Sequence, residues 1–187
     1  MRTRRSGFSL VEVLLAMAIL AIIAEALYVT VFRSTTTFSN NTRMGSLQED
    51  ARGALDSMVN EFRMADKTRF LITGPAGGPN SVTFYVSTGV AAGAVTWSTP
   101  ITYQLQPAAA VRGPNASAQN LVRIQNGQTH RMCDFVTPVA DLKHHGLAIT
   151  KVSGDNYTIT LDLSIIDESG KTIESTLQCS VTLRNSS

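Results

Sequence analysis

From Phe8 to Phe32 the chain runs for 25 residues with almost no polar side chain: PheSerLeuValGluValLeuLeuAlaMetAlaIleLeuAlaIleIleAlaGluAlaLeuTyrValThrValPhe. As a helix rising ~1.5 Å per residue it would be about 37 Å long, enough to cross a hydrocarbon layer of ~30 Å with some tilt. A short basic leader, Met1-Arg-Thr-Arg-Arg-Ser-Gly7, stands in front of it. Glu12 lies five positions into the run. A charge at the centre of a membrane helix costs about 2.5–3.5 kcal/mol even on the milder insertion scale, so such residues are rare and usually partnered.

An ordinary secretory signal has a basic region, an apolar stretch of about 7–15 residues, and small residues at a cleavage site beyond it. Here the run is too long for that purpose and no small-residue cleavage motif follows it. The only breaker, Ser6-Gly7, lies in front. A cut between Gly7 and Phe8 would start the helix with a new α-amine of intrinsic pKa about 7.7–8, largely protonated near neutrality. Glu12 would then sit four residues from that amine, where the positive end of the helix dipole also favours a carboxylate. The amine could equally belong to a neighbouring subunit, making an expensive acid a register for assembly.

Gly7-Phe8-Ser9-Leu10-Val11-Glu12, followed by an uninterrupted apolar helix and preceded by a basic leader, resembles the class III signal of type IV pilins and of the pseudopilins of type II secretion. The resemblance implies that a membrane-embedded prepilin peptidase cuts after Gly7 and methylates the amine of Phe8. It also implies that Glu12 helps recruit subunits into a helical filament. Many major pilins carry a proline where Val29 stands here, which argues against the major subunit of a long pilus. Glu25, the second acid in the run, lies about 220° round a helix from Glu12, so the two share no face. It is read as snorkelling near the outer boundary or meeting a polar group in an assembly.

Of 16 basic residues, Arg2, Arg4 and Arg5 belong to the leader; removing them leaves 13 basic against 14 acidic residues, a net charge of −1. The leader's charge keeps that end cytoplasmic by the positive-inside rule and sends the C-terminal domain outward. The remainder carries no nucleic-acid footprint. At 187 residues the chain has room for one membrane helix and one globular core.

Ser34 to Thr42 is polar and poor in helix formers, and is expected to be a soft joint. Leu47, Ala51, Leu55, Met58, Phe62 and Ala65 then recur at helical spacing, the stripe of a helix packed on one face. Gln48, Glu49, Asp50, Arg52, Asp56, Asn60, Glu61 and Arg63 between them form a solvated surface. Together these predict one long helix from Phe8 to about Lys67.

After Gly74 the pattern changes to strands. Residues 82–86, 101–105, 121–125, 147–152, 157–166 and 173–183 are short and rich in β-branched and aromatic residues. The last two are joined by AspGluSerGlyLys as a hairpin. The Ala/Gly/Pro-rich stretches 89–100 and 107–119 are read as loops. The fold class is therefore α+β: a long N-terminal helix laid on an antiparallel sheet. The organisation is a leader (1–7), a transmembrane or filament-core helix (8–32), its amphipathic continuation (33–68) and a β domain (69–187).

Residues 51–65, Ile101-Thr-Tyr103, Leu121-Val-Arg123 and Val181-Thr-Leu-Arg184-Asn185 resemble the PilW-type minor pilins and the J-type minor pseudopilin of type II secretion. That resemblance implies a minor structural subunit in the bacterial inner membrane. Its partners would be prepilin peptidase and other pilin or pseudopilin subunits. A rival of another class is a monomeric, membrane-anchored extracytoplasmic binding domain.

Cys133 and Cys179 would face an oxidising compartment, where a disulfide is expected to add about 2–4 kcal/mol. No metal-ligand spacing exists. His144 and His145 are adjacent, so on a strand they would point to opposite faces, and His130 is isolated. There is no nucleophile triad, phosphate loop or dinucleotide fingerprint. No cofactor is called for, and the chain is read as an enzyme's substrate rather than an enzyme.

Overall fold

In the computed structural model residues 9–74, 81–108, 118–136, 146–166 and 170–183 are described. One helix, α1, spans Leu10–Met64. The chain divides into two compact units between Arg43 and Met44.

In the first unit α1 is continuous through Ser34–Thr42, so the expected joint is not a break. The threonine hydroxyls are accommodated within it. Thr35 donates to the Phe32 carbonyl at 2.8 Å, Thr37 to Arg33 at 2.9 Å and Thr42 to Phe38 at 2.9 Å. Each hydroxyl is satisfied by a carbonyl of the preceding turn, so these residues do not compete with the helical backbone.

In the second unit the stripe of α1 closes on a sheet. Leu47, Ala51, Leu55, Met58, Phe62 and Ala65 are all buried, joined by Met44 and Ala54. α1 stops because Asp66 adopts extended backbone (φ −77°, ψ 125°) and caps a short 3-10 turn, Lys67–Arg69. Its carboxylate accepts from Thr68 N at 2.9 Å and Thr68 Oγ1 at 2.8 Å.

The strands are β1 (Leu71–Thr73), β2 (Ser81–Phe84), β3 (Ser87–Ala91), β4 (Ala94–Trp97), β5 (Ile101–Pro107), β6 (Gln119–Gln125), β7 (Gln128–Val136), β8 (Leu147–Ser153), β9 (Asn156–Ile166) and β10 (Thr172–Thr182). Eight of them form one sheet in the order β1-β2-β5-β6-β7-β9-β10, with β8 also paired to β9. All the pairings are antiparallel. This is the expected α+β arrangement, matching a pilin-like fold.

β9 shows the alternation that makes one face of the sheet dry. Tyr157, Ile159, Leu161, Leu163 and Ile165 are buried, and all eleven β9 residues are in register with β10. Against this face sits an aromatic cluster. Phe62 of α1 meets Phe70 and Phe84 edge-on, each with centroids 5.0 Å apart, and Tyr103 at 6.2 Å. Edge-to-face pairs of this kind add about 0.5–1.5 kcal/mol beyond their buried area.

Two expectations change. Stretch 89–100 is not a plain loop: β3 and β4 pair as a separate hairpin, turning at Ala92 and Gly93, both with positive φ. The alternation Val90, Val95, Trp97 is diluted by Ala and Gly, which hid the strands. β7 is an added strand, reached through Asn126-Gly127 with φ of 55° and 73°. Asn-Gly between extended segments is a strong hairpin signal, because both residues tolerate the left-handed conformation a two-residue turn requires. Of the other loop, residues 109–117 lie outside the described residues, while Pro107 and Gln119 pair across β5 and β6.

Candidate assembly site

The described part of the apolar segment begins at Ser9, whose carbonyl accepts from Val13 N at 3.2 Å, with Leu10 the first residue of α1. Glu12 stands in the first turn and is exposed. Ser9-Leu-Val-Glu12 has the spacing of a capping box, a local signal legible in the residues themselves. A carboxylate here is favoured by the helix's own N-terminus even before a partner arrives. Gly7 and Phe8, the expected processing residues, lie outside the described residues.

Every residue from Ser9 to Thr35 is exposed. Leu10 is 76% exposed, Leu20 71% and Ile22 68%, values that a water-soluble helix does not sustain over seven turns. The segment is long and apolar enough to cross a membrane. Beside Glu12 the small Ala16 leaves a shallow groove, whose other walls are Val13, Met17 and Leu20.

A second polar cluster ties the packed part of α1 to the sheet. Glu61 Oε1 is 2.9 Å from both Arg123 Nε and Arg123 Nη2, and Tyr103 Oη donates to Glu61 Oε2 at 3.0 Å. Arg123 Nη2 also donates to Gln125 Oε1 at 2.8 Å. Glu61 is expected on a solvated face but lies half-buried on the flank of the stripe, three residues after Met58 and four before Ala65. Burial, with the charge and hydrogen bond of Glu61, raises the pKa of Tyr103. Burial works against the Arg123 charge, but the hydrogen bond and charge of Glu61 outweigh it and raise its pKa. Glu61, Tyr103 and Arg123, three carriers of the minor-subunit resemblance, thus meet at one point. With its oxygens taken by these donors, this carboxylate is a brace between helix and strands rather than a free base.

The expected Cys133–Cys179 disulfide is not formed; both are free thiols. Cys133 is on β7 and Cys179 on β10, with β9 between them in the sheet. Two strand spacings are about 9–10 Å, beyond the ~7 Å Cα separation that a disulfide spans. Burial pushes the Cys133 thiol up to about 12, with help from the charges of Asp50 and Asp134. Among the described residues no group of His, Cys, Asp and Glu could hold a metal ion. His130 is exposed on β7, and His144 and His145 lie outside the described residues.

Neither the curated proteins nor the solved structures give a match to this chain. A family model does: the prokaryotic N-terminal methylation motif, over residues 2–26. The matched stretch covers the basic leader, the Gly7-Phe8 junction, Glu12 and most of the exposed apolar segment. The chain therefore carries a type IV prepilin-like signal, which supports a type IV pilin- or pseudopilin-like protein.

Proposed function

We propose that this chain is a minor pilin-like structural subunit of a type IV pilus, working in filament assembly or tip initiation. Prepilin peptidase removes residues 1–7 and methylates the amine of Phe8. The helix of residues 8–32 first anchors the chain in the inner membrane, with the domain outside the cytoplasm. It then leaves the bilayer to pack with equivalent helices of other subunits. The helix continues to Met64, and its packed part with the strands that follow forms the globular head.

The observation carrying this reading is the contrast between a complete core in the second unit and the wholly exposed apolar helix of the first. That helix needs a lipid or protein partner from outside the chain. A carboxylate at Glu12 costs several kcal/mol in lipid unless it is matched, and an N-terminal ammonium of a neighbouring subunit matches it.

The test is the N-terminal peptide of the native protein, measured by mass spectrometry on membranes and sheared surface material. N-methylated Phe8 in sheared filaments is expected. Methylated protein held back in the envelope would point to a type II secretion pseudopilin. An intact Met1 in cells with active prepilin peptidase would favour the anchored binding domain and overturn the proposal. In Glu12→Ala, cleavage should remain largely intact while filament incorporation falls; normal incorporation would remove the role given to Glu12.

A further inference from the structure

Between Arg69 and Arg112 the sequence carries no charged residue, where about seven would stand at the chain's own average of 16%. Within that stretch lies the β3–β4 hairpin, which among the described residues pairs with no strand of the main sheet. Its base is fixed. Val86 bridges Ala65, Asp66 N donates to the Tyr85 carbonyl at 3.1 Å, and Ser98 N donates to the Val86 carbonyl at 2.8 Å. The Arg69 guanidinium lies 5.1 Å from the Trp97 ring centroid and 5.7 Å from that of Tyr85. Beyond this base the hairpin is bare: residues 88–95 are all exposed, Val90 at 72% and Val95 at 45%.

A two-stranded hairpin by itself is only marginally stable in water. Ala91 and Ala94 flank the two-residue turn and form its hydrogen-bonded pair. Val90 and Val95 are therefore the next, non-hydrogen-bonded pair, whose N–H and C=O groups turn outward. Soluble proteins guard such edges with charge, proline or a bulge. β10, at the end of the main sheet, follows that rule with Glu174, just after Lys171. β3 has a bulge between Ser87 and Gly89. β4, Ala94-Val-Thr-Trp97, has none of these devices.

We propose that the open edge of β4 receives an extended, uncharged strand from a different subunit of the filament. This rests on the filament reading, in which a minor subunit meets chains of other kinds. The occupant is polypeptide because outward N–H and C=O groups at strand spacing are matched by another extended backbone, whereas lipid tails offer neither donor nor acceptor. It is uncharged along this edge because β4 supplies no counter-charge, and Arg69, stacked on Trp97, is already paired with Asp66 at 3.7 Å. Charge depletion with aromatic content is also the composition of an interface core. Val95 and Trp97, two residues apart on one face, extend an apolar row for alternate side chains of the incoming strand. Because the base is already held, little freedom is lost when a third strand adds.

The experiment places the photo-crosslinking residue p-benzoylphenylalanine at Ala94 of the full chain, in cells that make the other filament subunits. The crosslinked peptide is mapped by mass spectrometry. The expected adduct is to a charge-free segment of a different filament subunit. Val95→Pro removes the outward N–H and spares the hydrogen bonds inside the hairpin, so it should lower the adduct about tenfold. Val95→Thr keeps the N–H and the β-branch and should stay near the wild-type level. Val90→Pro makes the same change on the opposite edge and should leave the adduct largely intact. An equal fall in Val90→Pro would mean that the hairpin itself had come apart, and overturns the proposal. So does an adduct retained in Val95→Pro, or one confined to phospholipid or to a second copy of this chain. The N-terminal peptide is read from the same cells. An intact leader overturns the filament reading and this inference together, whereas methylated Phe8 without an adduct overturns this inference alone.

Discussion

α1 is one helix with two kinds of surface. From Ser9 to Thr35 every residue is exposed, and large aliphatic groups lie all the way round. From Met44 to Phe62 the apolar residues keep to a stripe, and that stripe is buried against β-strands of the same chain. The backbone hydrogen bonding is alike in both; the distribution of side chains is not. A stripe can be satisfied by one partner surface, which a single sheet provides. A helix that is apolar on all sides needs surroundings on all sides, which only lipid or a bundle of other helices supplies. The second half thus stabilises the fold, and the first half is reserved for what lies outside it.

This division can be broken most sharply at Phe62. Phe62→Ala removes the ring that meets Phe70, Phe84 and Tyr103, and should cost about 3–5 kcal/mol of folding stability. Urea unfolding of the full chain in detergent, followed by fluorescence of the single tryptophan, Trp97, measures it; an unshifted midpoint would deny that α1 anchors the core. Next comes Glu61→Ala, which strands the half-buried Arg123 guanidinium and should cost about 2–3 kcal/mol. A loss below about 0.5 kcal/mol would place that ion pair among ordinary surface bridges.

Alkaline pH sharpens the contrast further. The Cys133 thiol ordinarily titrates at 9.0 and is pushed up to about 12 in the fold, so the unfolded chain loses its proton first. Its contribution is fully present below pH 9 and is lost as the pH rises toward 12. Urea midpoints should therefore fall between pH 9 and 11, and Cys133→Ala should flatten the slope; an equal slope in that variant would assign it to other groups. The smallest effect belongs to Leu20→Ala. Being exposed and in the other unit, it should change the head's stability by no more than about 0.5 kcal/mol, unlike Phe62→Ala. A larger loss would mean that the first half of α1 supports the head after all.

Much of this was legible in the residues. The six-residue stripe from Leu47 to Ala65 is all buried, because a 3.6-residue period leaves a packed helix little freedom in choosing its inner face. Six expected strand segments are extended where alternation or β-branched content is strong. The hairpin β3–β4 was missed because Ala and Gly carry little of that signal. β7 was missed because GlnThrHisArgMetCysAspPheVal alternates poorly; its turn, Asn126-Gly127, was the available clue. The joint expected at Ser34–Thr42 rested on intrinsic propensity, a weak term that the context of a long helix overrides.

The candidate site divides in the same way. Glu12 could be singled out from sequence because its meaning is local: one acid in an apolar run, at the start of a helix, behind a basic leader. Glu61 could not. Its partners Tyr103 and Arg123 are 42 and 62 residues away, and no spacing rule links a helix to the strands that will cover it. The two cysteines likewise looked able to pair until the strand order put β9 between them. What depends on neighbours along the chain is written in the residues: the apolar helix, its signal, its acids and its stripe. The tertiary structure alone decided which distant groups meet, because strand order and register are set by closure of the whole core.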